Sequence, residues 1–331
     1  MIDEVLPGGI AGRIERAITK MEERMPPAKV VLETYGEVIL ERARLREGLP
    51  PLTEVPVSPP DPFRFSQGMP LLTEDTLIRF THSMGITHDR MLSVLEKAFP
   101  KINAPIQKLK RALEEGQLIL KDCMEAMLNG REEKMDQIAL RLGVESLILK
   151  FILGQLMKPF IERLGESLKP LVGSLSWHKG YCPICGSLPE LGYLNGNEGQ
   201  RWLRCSLCAH EWRFARTKCP FCENDDQKKM EFYFIEDRSY ERAELCYQCK
   251  RYLVSIDLRS SPDEVVLDVA ALGMVYLDIL AQGKGFLPMA FCAWNVVSPR
   301  DISSVVQSSE KIVVKGTKRR LKKSSEIIPS S

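Results

Sequence analysis

Residues 182–249 contain four Cys-x-x-Cys pairs: Cys182-Pro183-Ile184-Cys185, Cys205-Ser206-Leu207-Cys208, Cys219-Pro220-Phe221-Cys222 and Cys246-Tyr247-Gln248-Cys249. Gaps of 19, 10 and 23 residues separate successive pairs. Two residues between cysteines allow a tight turn to direct both sulfurs at one ion, and two such turns complete a tetrahedron. One pair alone would also suit a redox dithiol, but four pairs in so short a stretch indicate metal binding.

The lengths of the gaps predict which pairs share an ion. The gaps of 19 and 23 residues each suit a short hairpin, so we expect the first pair to face the second and the third to face the fourth. A cross-braced arrangement remains open. Gly186, directly after the first pair, can adopt the positive φ that such a turn requires. Four thiolates suit zinc or iron equally well, so the spacing leaves the metal open.

The segments around the cysteines predict an α+β protein. Short aromatic runs at 201–204, 211–214 and 231–235 are typical of strands. Before residue 175, apolar residues recur at helical spacing, and this pattern is interrupted at Gly143 and in the proline-rich stretch 48–70. Residues 262–280 show the same helical spacing. Thr73 is a predicted helix start. The predicted divisions are an α-helical domain (1–175), two four-cysteine metal modules (176–217 and 218–262), a C-terminal helix with a closing segment (263–307) and a basic disordered tail (308–331).

Net charge and the distribution of apolar residues limit the classes of function that this sequence can have. The chain of 331 residues has a formal net charge of +2, which is too small to indicate a nucleic-acid partner, although 318–323 is a basic run. The first twenty residues lack the basic and apolar regions of a signal peptide, and no apolar run is long enough to span a membrane. We therefore expect a cytoplasmic protein, without membrane insertion, whose thiols are kept reduced.

Other chemically capable residues form no recognisable catalytic set. His82, His88, His178 and His210 are not spaced as partners, although His210 could hydrogen-bond a sulfur of the second pair. Cys123 lies in an apolar helical pattern that is typical of an inert core thiol, and we interpret Cys292 in the same way. No phosphate-binding glycine loop, nucleophile elbow or open histidine metal motif is present, so we predict a protein that is not an enzyme.

The order and spacing of several motifs resemble the FdhE family, the formate dehydrogenase accessory proteins. The resemblance rests on the following stretches: Gly180-Tyr181-Cys182-Pro183-Ile184-Cys185-Gly186-Ser187-Leu188-Pro189, Arg204-Cys205-Ser206-Leu207-Cys208, Glu211-Trp212-Arg213-Phe214-Ala215-Arg216, Lys218-Cys219-Pro220-Phe221-Cys222, Arg242-Ala243-Glu244-Leu245-Cys246-Tyr247-Gln248-Cys249 with Tyr252-Leu253 after it, and the helix ending at Gly285-Phe286. It covers 176–286 closely and the helical half only loosely.

The resemblance implies a helical domain followed by two rubredoxin-like or zinc-ribbon modules, with iron as the usual metal. It implies that Cys182, Cys185, Cys205, Cys208, Cys219, Cys222, Cys246 and Cys249 are the ligands. The implied role is maturation of a respiratory formate dehydrogenase in the cytoplasm, with its catalytic subunit, and its twin-arginine signal region, as the partner. This chain has Leu267-Asp268 where members often have two aspartates, which leaves a partner contact there open.

Two other functions stay open at this stage. The first is an electron carrier or redox switch acting through two iron sites. The second is a nucleic-acid-binding zinc-ribbon protein, suggested by the basic and aromatic residues between Arg201 and Arg216. The near-zero net charge and the neighbouring glutamates count against the second function.

Overall fold

The computed structural model describes residues 9–49, 60–72, 88–128, 131–295 and 312–316. Thr73, His82, residues 50–59 of the proline-rich stretch and the basic run at 318–323 lie outside the described residues. Within the described ranges no helix is both long enough and apolar enough to span a bilayer.

Helices make up most of the described chain before residue 175. They are α1 (Gly9–Arg24), α2 (Lys29–Gly48), α3 (Pro62–Ser66), α4 (His88–Ala98), α5 (Asn103–Glu114), α6 (Leu120–Leu128), α7 (Glu132–Leu142) and α8 (Ser146–Val172). Gly143 ends α7 in the left-handed conformation, with φ of +60°. The single helix predicted at 262–280 is instead two, α9 (Leu267–Gly273) and α10 (Val275–Gly283), because the chain breaks at Met274.

The cysteine-rich half forms one continuous sheet. Its strands are β1 (Pro189–Asn195), β2 (Gln200–Cys205), β3 (Glu211–Arg213), β4 (Met230–Ile235), β5 (Glu241–Cys246), β6 (Arg251–Asp257), β7 (Leu287–Pro288) and β8 (Ile312–Gly316). The order is β3-β2-β1-β6-β5-β4-β8, with β7 beside β6. The β1–β6 and β6–β7 pairs are parallel and the others antiparallel. The β1–β6 pair therefore joins two antiparallel ribbons into a single surface.

Strand β8 differs from the sequence expectation for the tail. Residues 312–316 pair antiparallel with β4, with Glu231 opposite Gly316 and Ile235 opposite Ile312. The prediction of a disordered tail is therefore wrong for 312–316, and the other residues from 317 onward lie outside the described ranges.

Two apolar cores flank helix α2. One core packs α2 with α4–α8 and reaches the first cysteine turns, and it includes Val38 and Leu45 of α2. The other lies between α1, α2, the sheet and helices α9 and α10, and it includes Leu32 and Ile39. Helix α2 is thus buried on two faces, and the helical half packs directly on the sheet that carries the cysteines.

A network of buried charges also ties the helices to the sheet. Arg42 and Arg46 of α2 each place a guanidinium nitrogen 3.2 Å from the Glu162 carboxylate of α8. Arg204 of β2 pairs with Asp268 of α9 at 2.9 Å. Burial alone would raise the pKa of Asp268, but these three arginines hold it well below its usual range. Asp268 therefore faces inward, toward arginines of its own chain.

Asp278 of α10 is a buried carboxyl group with a different environment. The Tyr252 hydroxyl of β6 donates a hydrogen bond to it at 2.6 Å. Burial raises the pKa of Asp278 from 3.8 to about 7. The folded protein therefore keeps a proton there that the unfolded chain releases at lower pH.

We expect this carboxyl group to make the fold less stable as the pH rises. The protonated Asp278 side chain adds to the free energy of unfolding. This contribution is fully present below the unfolded pKa of 3.8 and is lost as the pH rises through the folded pKa of about 7. In Asp278→Asn the downward slope of the unfolding free energy over this window should weaken by up to about 1.4 kcal/mol per pH unit. Urea unfolding at a series of pH values measures this slope, and Asp136→Asn, at an exposed position, is the control. Equal slopes in wild type and Asp278→Asn would contradict it.

Candidate metal centres

The four Cys-x-x-Cys pairs come together as two separate groups of thiols. The first site contains Cys182, Cys185, Cys205 and Cys208, and the second contains Cys219, Cys222, Cys246 and Cys249. Within each site the four sulfur atoms lie within 4.8 Å of one another. The predicted grouping of the pairs is confirmed, and the cross-braced alternative is wrong. Each group could hold a metal ion.

The first site has the dimensions of a tetrahedral ion site. The Sγ atoms of Cys182 and Cys208 are 3.5 Å apart, and those of Cys185 and Cys205 are 3.4 Å apart. A tetrahedron with metal–sulfur bonds of about 2.3 Å has edges of about 3.8 Å. The sulfurs are therefore close to the positions that a four-coordinate ion would impose.

The second site fits the same tetrahedron. The Sγ atoms of Cys219 and Cys249 are 3.7 Å apart, as are those of Cys222 and Cys246. Cys246 ends β5, and the hairpin from β4 to β5 carries it back toward Cys222. The donor set of four thiols leaves no position for water or substrate once one ion is bound.

Burial of the thiols makes the sites dependent on a cation. Desolvation raises the pKa of both Cys182 and Cys208. Four ionised thiols this close, and this far from water, would repel one another strongly. A divalent ion removes that repulsion, so the chemistry of the donors matches a soft, tetrahedral metal such as zinc or iron.

Each Cys-x-x-Cys turn with its following residue, here called a knuckle, has the same backbone conformation. The residue after the second cysteine has a positive φ in all four: Gly186 (76°), Ala209 (56°), Glu223 (57°) and Lys250 (59°). In the first knuckle the Gly186 amide donates to the Cys182 carbonyl at 2.9 Å. Sequence reasoning identified only Gly186, although the equivalent position of the other three was visible in the spacing.

These left-handed residues supply a stability test. Ala209→Gly relieves a conformation that is unfavourable for a residue with a Cβ, so we expect stability to rise by about 0.5 to 1 kcal/mol. Gly186→Ala should lower it by about 1 to 2 kcal/mol, because it creates that conformation beside Pro70, whose Cγ would lie 3.2 Å from the new Cβ. Thermal unfolding of both variants measures these shifts. A lower midpoint for Ala209→Gly would contradict the argument.

The remaining cysteines and histidines stay outside both sites. Cys123 is fully buried among helix side chains, and burial raises its pKa to about 11. Cys292 is also buried, with its Sγ 3.8 Å from Glu190 Oε2. His210 is buried rather than exposed, which lowers its pKa to about 4, and its carbonyl accepts a hydrogen bond from the Cys205 amide. Of the described histidines, none joins a thiol group.

Arg201 and Arg204, near the first site, have partners other than the thiols. Arg201 donates to Glu244 at 2.5 Å and to the Lys218 carbonyl at 2.9 Å. Arg201 and Arg204 are each 3% exposed. Arg201 and Arg204 are therefore part of the buried interior and not of a solvated surface, whereas Arg213 and Arg216 are exposed.

The buried aromatic residues bear on the nucleic-acid alternative. Trp212 and Phe214 lie in the same apolar core as the first site. Together with Arg201 and Arg204 they would have to leave the interior before a base could stack or a phosphate could pair. These four residues of the pattern are thus part of the interior, whereas Arg213 and Arg216 are exposed.

The first site is held by segments that lie far from it in sequence. The amides of Leu71 and Leu72 donate to the Pro183 and Ile184 carbonyls at 2.9 and 2.7 Å. At Gly165 of α8, an added Cβ would lie 2.8 Å from the Cys208 carbonyl. Sequence reasoning missed both contacts. Gly165 within a long helical pattern was the only available signal.

Comparison with known proteins gives a consistent picture. A family model described as "FdhE, central domain" matches residues 181–216. A "Protein FdhE homolog" from Aquifex aeolicus is 32% identical over 148 residues, which are 44% of this chain and 51% of the relative. Another, from Stutzerimonas stutzeri, is 29% identical over 248 residues, 71% of this chain and 75% of the relative. The chain thus spans about half the length of the relative from Aquifex aeolicus.

A solved structure extends the likeness to the whole fold. The crystal structure of the FdhE protein from Pseudomonas aeruginosa is matched with a TM-score of 0.59 at 25% identity. The match covers 88% of this chain and 96% of that one. The helical half, which carries no sharp motif, is therefore part of the shared architecture.

Proposed function

We propose that this chain is a member of the FdhE family, an accessory protein that binds the catalytic subunit of a respiratory formate dehydrogenase in the cytoplasm and is needed for its activity. In this proposal the eight cysteines hold two metal ions, zinc or iron, and the protein is not itself an enzyme. The twin-arginine signal region of the client is a further candidate contact.

The observation that carries the proposal is the pair of thiol sites on one continuous sheet. Both sites present four sulfurs within 4.8 Å of one another, and their ions would have no free coordination position. Such sites fix the shape of a surface rather than activate water. A protein with two of them, packed against a large helical layer, is well suited to recognising another protein.

The proposal is tested by deletion and by purification of the native complex. Deleting the gene should abolish formate dehydrogenase activity while the mRNA of the catalytic subunit stays at its normal level. Anaerobic affinity purification from the native host should recover that subunit, with about two metal ions per chain. Unchanged activity in the deletion strain would refute the accessory role.

An electron carrier is the second candidate, and the partial exposure of Cys222 and Cys249 favours it. Electron transfer needs a metal close to the surface, and these two sulfurs bring the second site there. The candidate requires iron, a visible thiolate charge-transfer band and reversible reduction. Colourless protein with two tightly bound zinc ions would exclude it.

A further inference from the structure

The two sites differ in how completely the described chain encloses them. At the first site, residues 181–188 and 205–210 are all buried or half-buried. Pro70 contacts the Gly186 position, Leu71 and Leu72 bond to the first knuckle, and Gly165 lets α8 lie against Cys208. Access to the first site thus requires separation of segments from three parts of the fold.

The second site has both of its knuckles at the surface. Five of its knuckle residues are exposed: Phe221, Glu223, Tyr247, Gln248 and Lys250. The third residue of a knuckle gives a direct comparison, because Ile184 at the first site is 0% exposed whereas Phe221 at the second is 41% exposed. Cys222 and Cys249 are half-buried, one in each knuckle, whereas at the first site Cys185 alone is half-buried.

Local backbone strain points to the same site. Both second-site knuckles end in a residue with a Cβ at positive φ, Glu223 and Lys250, whereas at the first site one knuckle has Ala209 there and the other has Gly186. Left-handed residues with a Cβ are unfavourable by about 1 to 2 kcal/mol each. Opening the second site at Cys222 or Cys249 therefore releases strain in either knuckle and moves neighbouring residues that are already exposed.

We infer that the second site is the reactive one, which exchanges its ion with ligands from outside, while the first is a structural link between helices and sheet. The inference rests on the proposed metal occupancy. In the exchange, each thiolate that leaves the ion, beginning with Cys222 or Cys249, is replaced by one donor atom of the incoming ligand. The freed thiolate takes a proton from water, and no electrons are transferred.

Zinc release from the full chain tests the inference. Protein loaded with two zinc ions is mixed with excess 4-(2-pyridylazo)resorcinol, and the coloured complex is followed with time. We expect two phases of one equivalent each, with rates separated by about tenfold or more, since slow release needs local unfolding. A zinc content well below two would refute the occupancy itself. Two zinc ions released in one phase would overturn only the inference.

Matched serine variants assign the phases. Cys249→Ser should lose the fast equivalent and keep the slow phase at its wild-type rate, whereas Cys185→Ser should keep the fast phase unchanged. Loss of the fast phase in Cys185→Ser, with its retention in Cys249→Ser, would reverse the assignment and overturn the inference.

Two further measurements use protein in which all eight cysteines are present. Gly165→Ala forces α8 away from Cys208 and should speed the slow phase by about tenfold, while Gly154→Ala on the same helix, where an added Cβ meets nothing within 4 Å, should not. Alkylation of the zinc-loaded protein with iodoacetamide, read by peptide mass spectrometry, should label Cys222 and Cys249 before Cys182, Cys205 and Cys208. Equal labelling of the two sites would contradict the inference.

Discussion

Replacing Gly180 by alanine is expected to lower the free energy of unfolding by about 3 kcal/mol or more and to distort the second thiol site. A Cβ at Gly180 would lie 1.8 Å from the Pro220 carbonyl oxygen and 2.4 Å from its carbonyl carbon. Both are backbone atoms of the knuckle that carries Cys219 and Cys222, so no side-chain rotation relieves the overlap.

The chain around Gly180 has little freedom to move away. The Trp177 indole donates to the Tyr181 carbonyl at 2.8 Å, and the Trp212 indole donates to the Lys179 carbonyl at 3.2 Å. The segment is thus fixed on both sides of the glycine. We therefore expect the knuckle to shift instead, which changes the distances between Cys219 and its partners.

Metal counting and urea unfolding of Gly180→Ala measure both effects, with Gly154→Ala as control. The control lies inside α8 with open space at its Cβ, so alanine should raise stability there by about 1 kcal/mol through helix propensity alone. If Gly180→Ala keeps wild-type stability and two ions, the close contact between Gly180 and the backbone of Pro220 is wrong.

The local parts of this structure could be predicted from the sequence. The grouping of the cysteines followed from gap lengths of 19 and 23 residues, because a hairpin returns the chain within such a distance. The strand at β4 and the helix end at Gly143 followed from residue type and period. These features depend on neighbours in sequence, which a single chain displays.

The features that depend on distant partners could not be predicted. Arg204 directly precedes a ligand, Cys205, but its ion-pair partners come from β1 and α9, Glu190 and Asp268. Nothing in the sequence places α2 between two cores or joins the two ribbons through β1 and β6. The unequal enclosure of the two sites follows from that packing and so stayed hidden as well.

Changing one buried ligand of the first site is expected to have a larger effect than changing a buried thiol outside the two sites. Cys205 is fully buried at the end of β2, next to Arg204, whose ion pairs join the sheet to α9. Cys205→Ser should cost one metal ion and about 5 kcal/mol or more of stability, because metal binding and folding are coupled at such sites. The helices and the sheet would lose a shared anchor at once.

Cys123→Ser is the matched control for this substitution. Cys123 is also fully buried, but it lies within α6 and outside both thiol groups. Serine there should cost about 1 to 3 kcal/mol for burying a hydroxyl, with two ions retained. Metal content and denaturant midpoints of the two variants separate the effects. Equal losses of stability, with two ions in both proteins, would mean that the first site contributes no more to the fold than an ordinary buried thiol. The inference that the first site links the helices to the sheet would then be wrong.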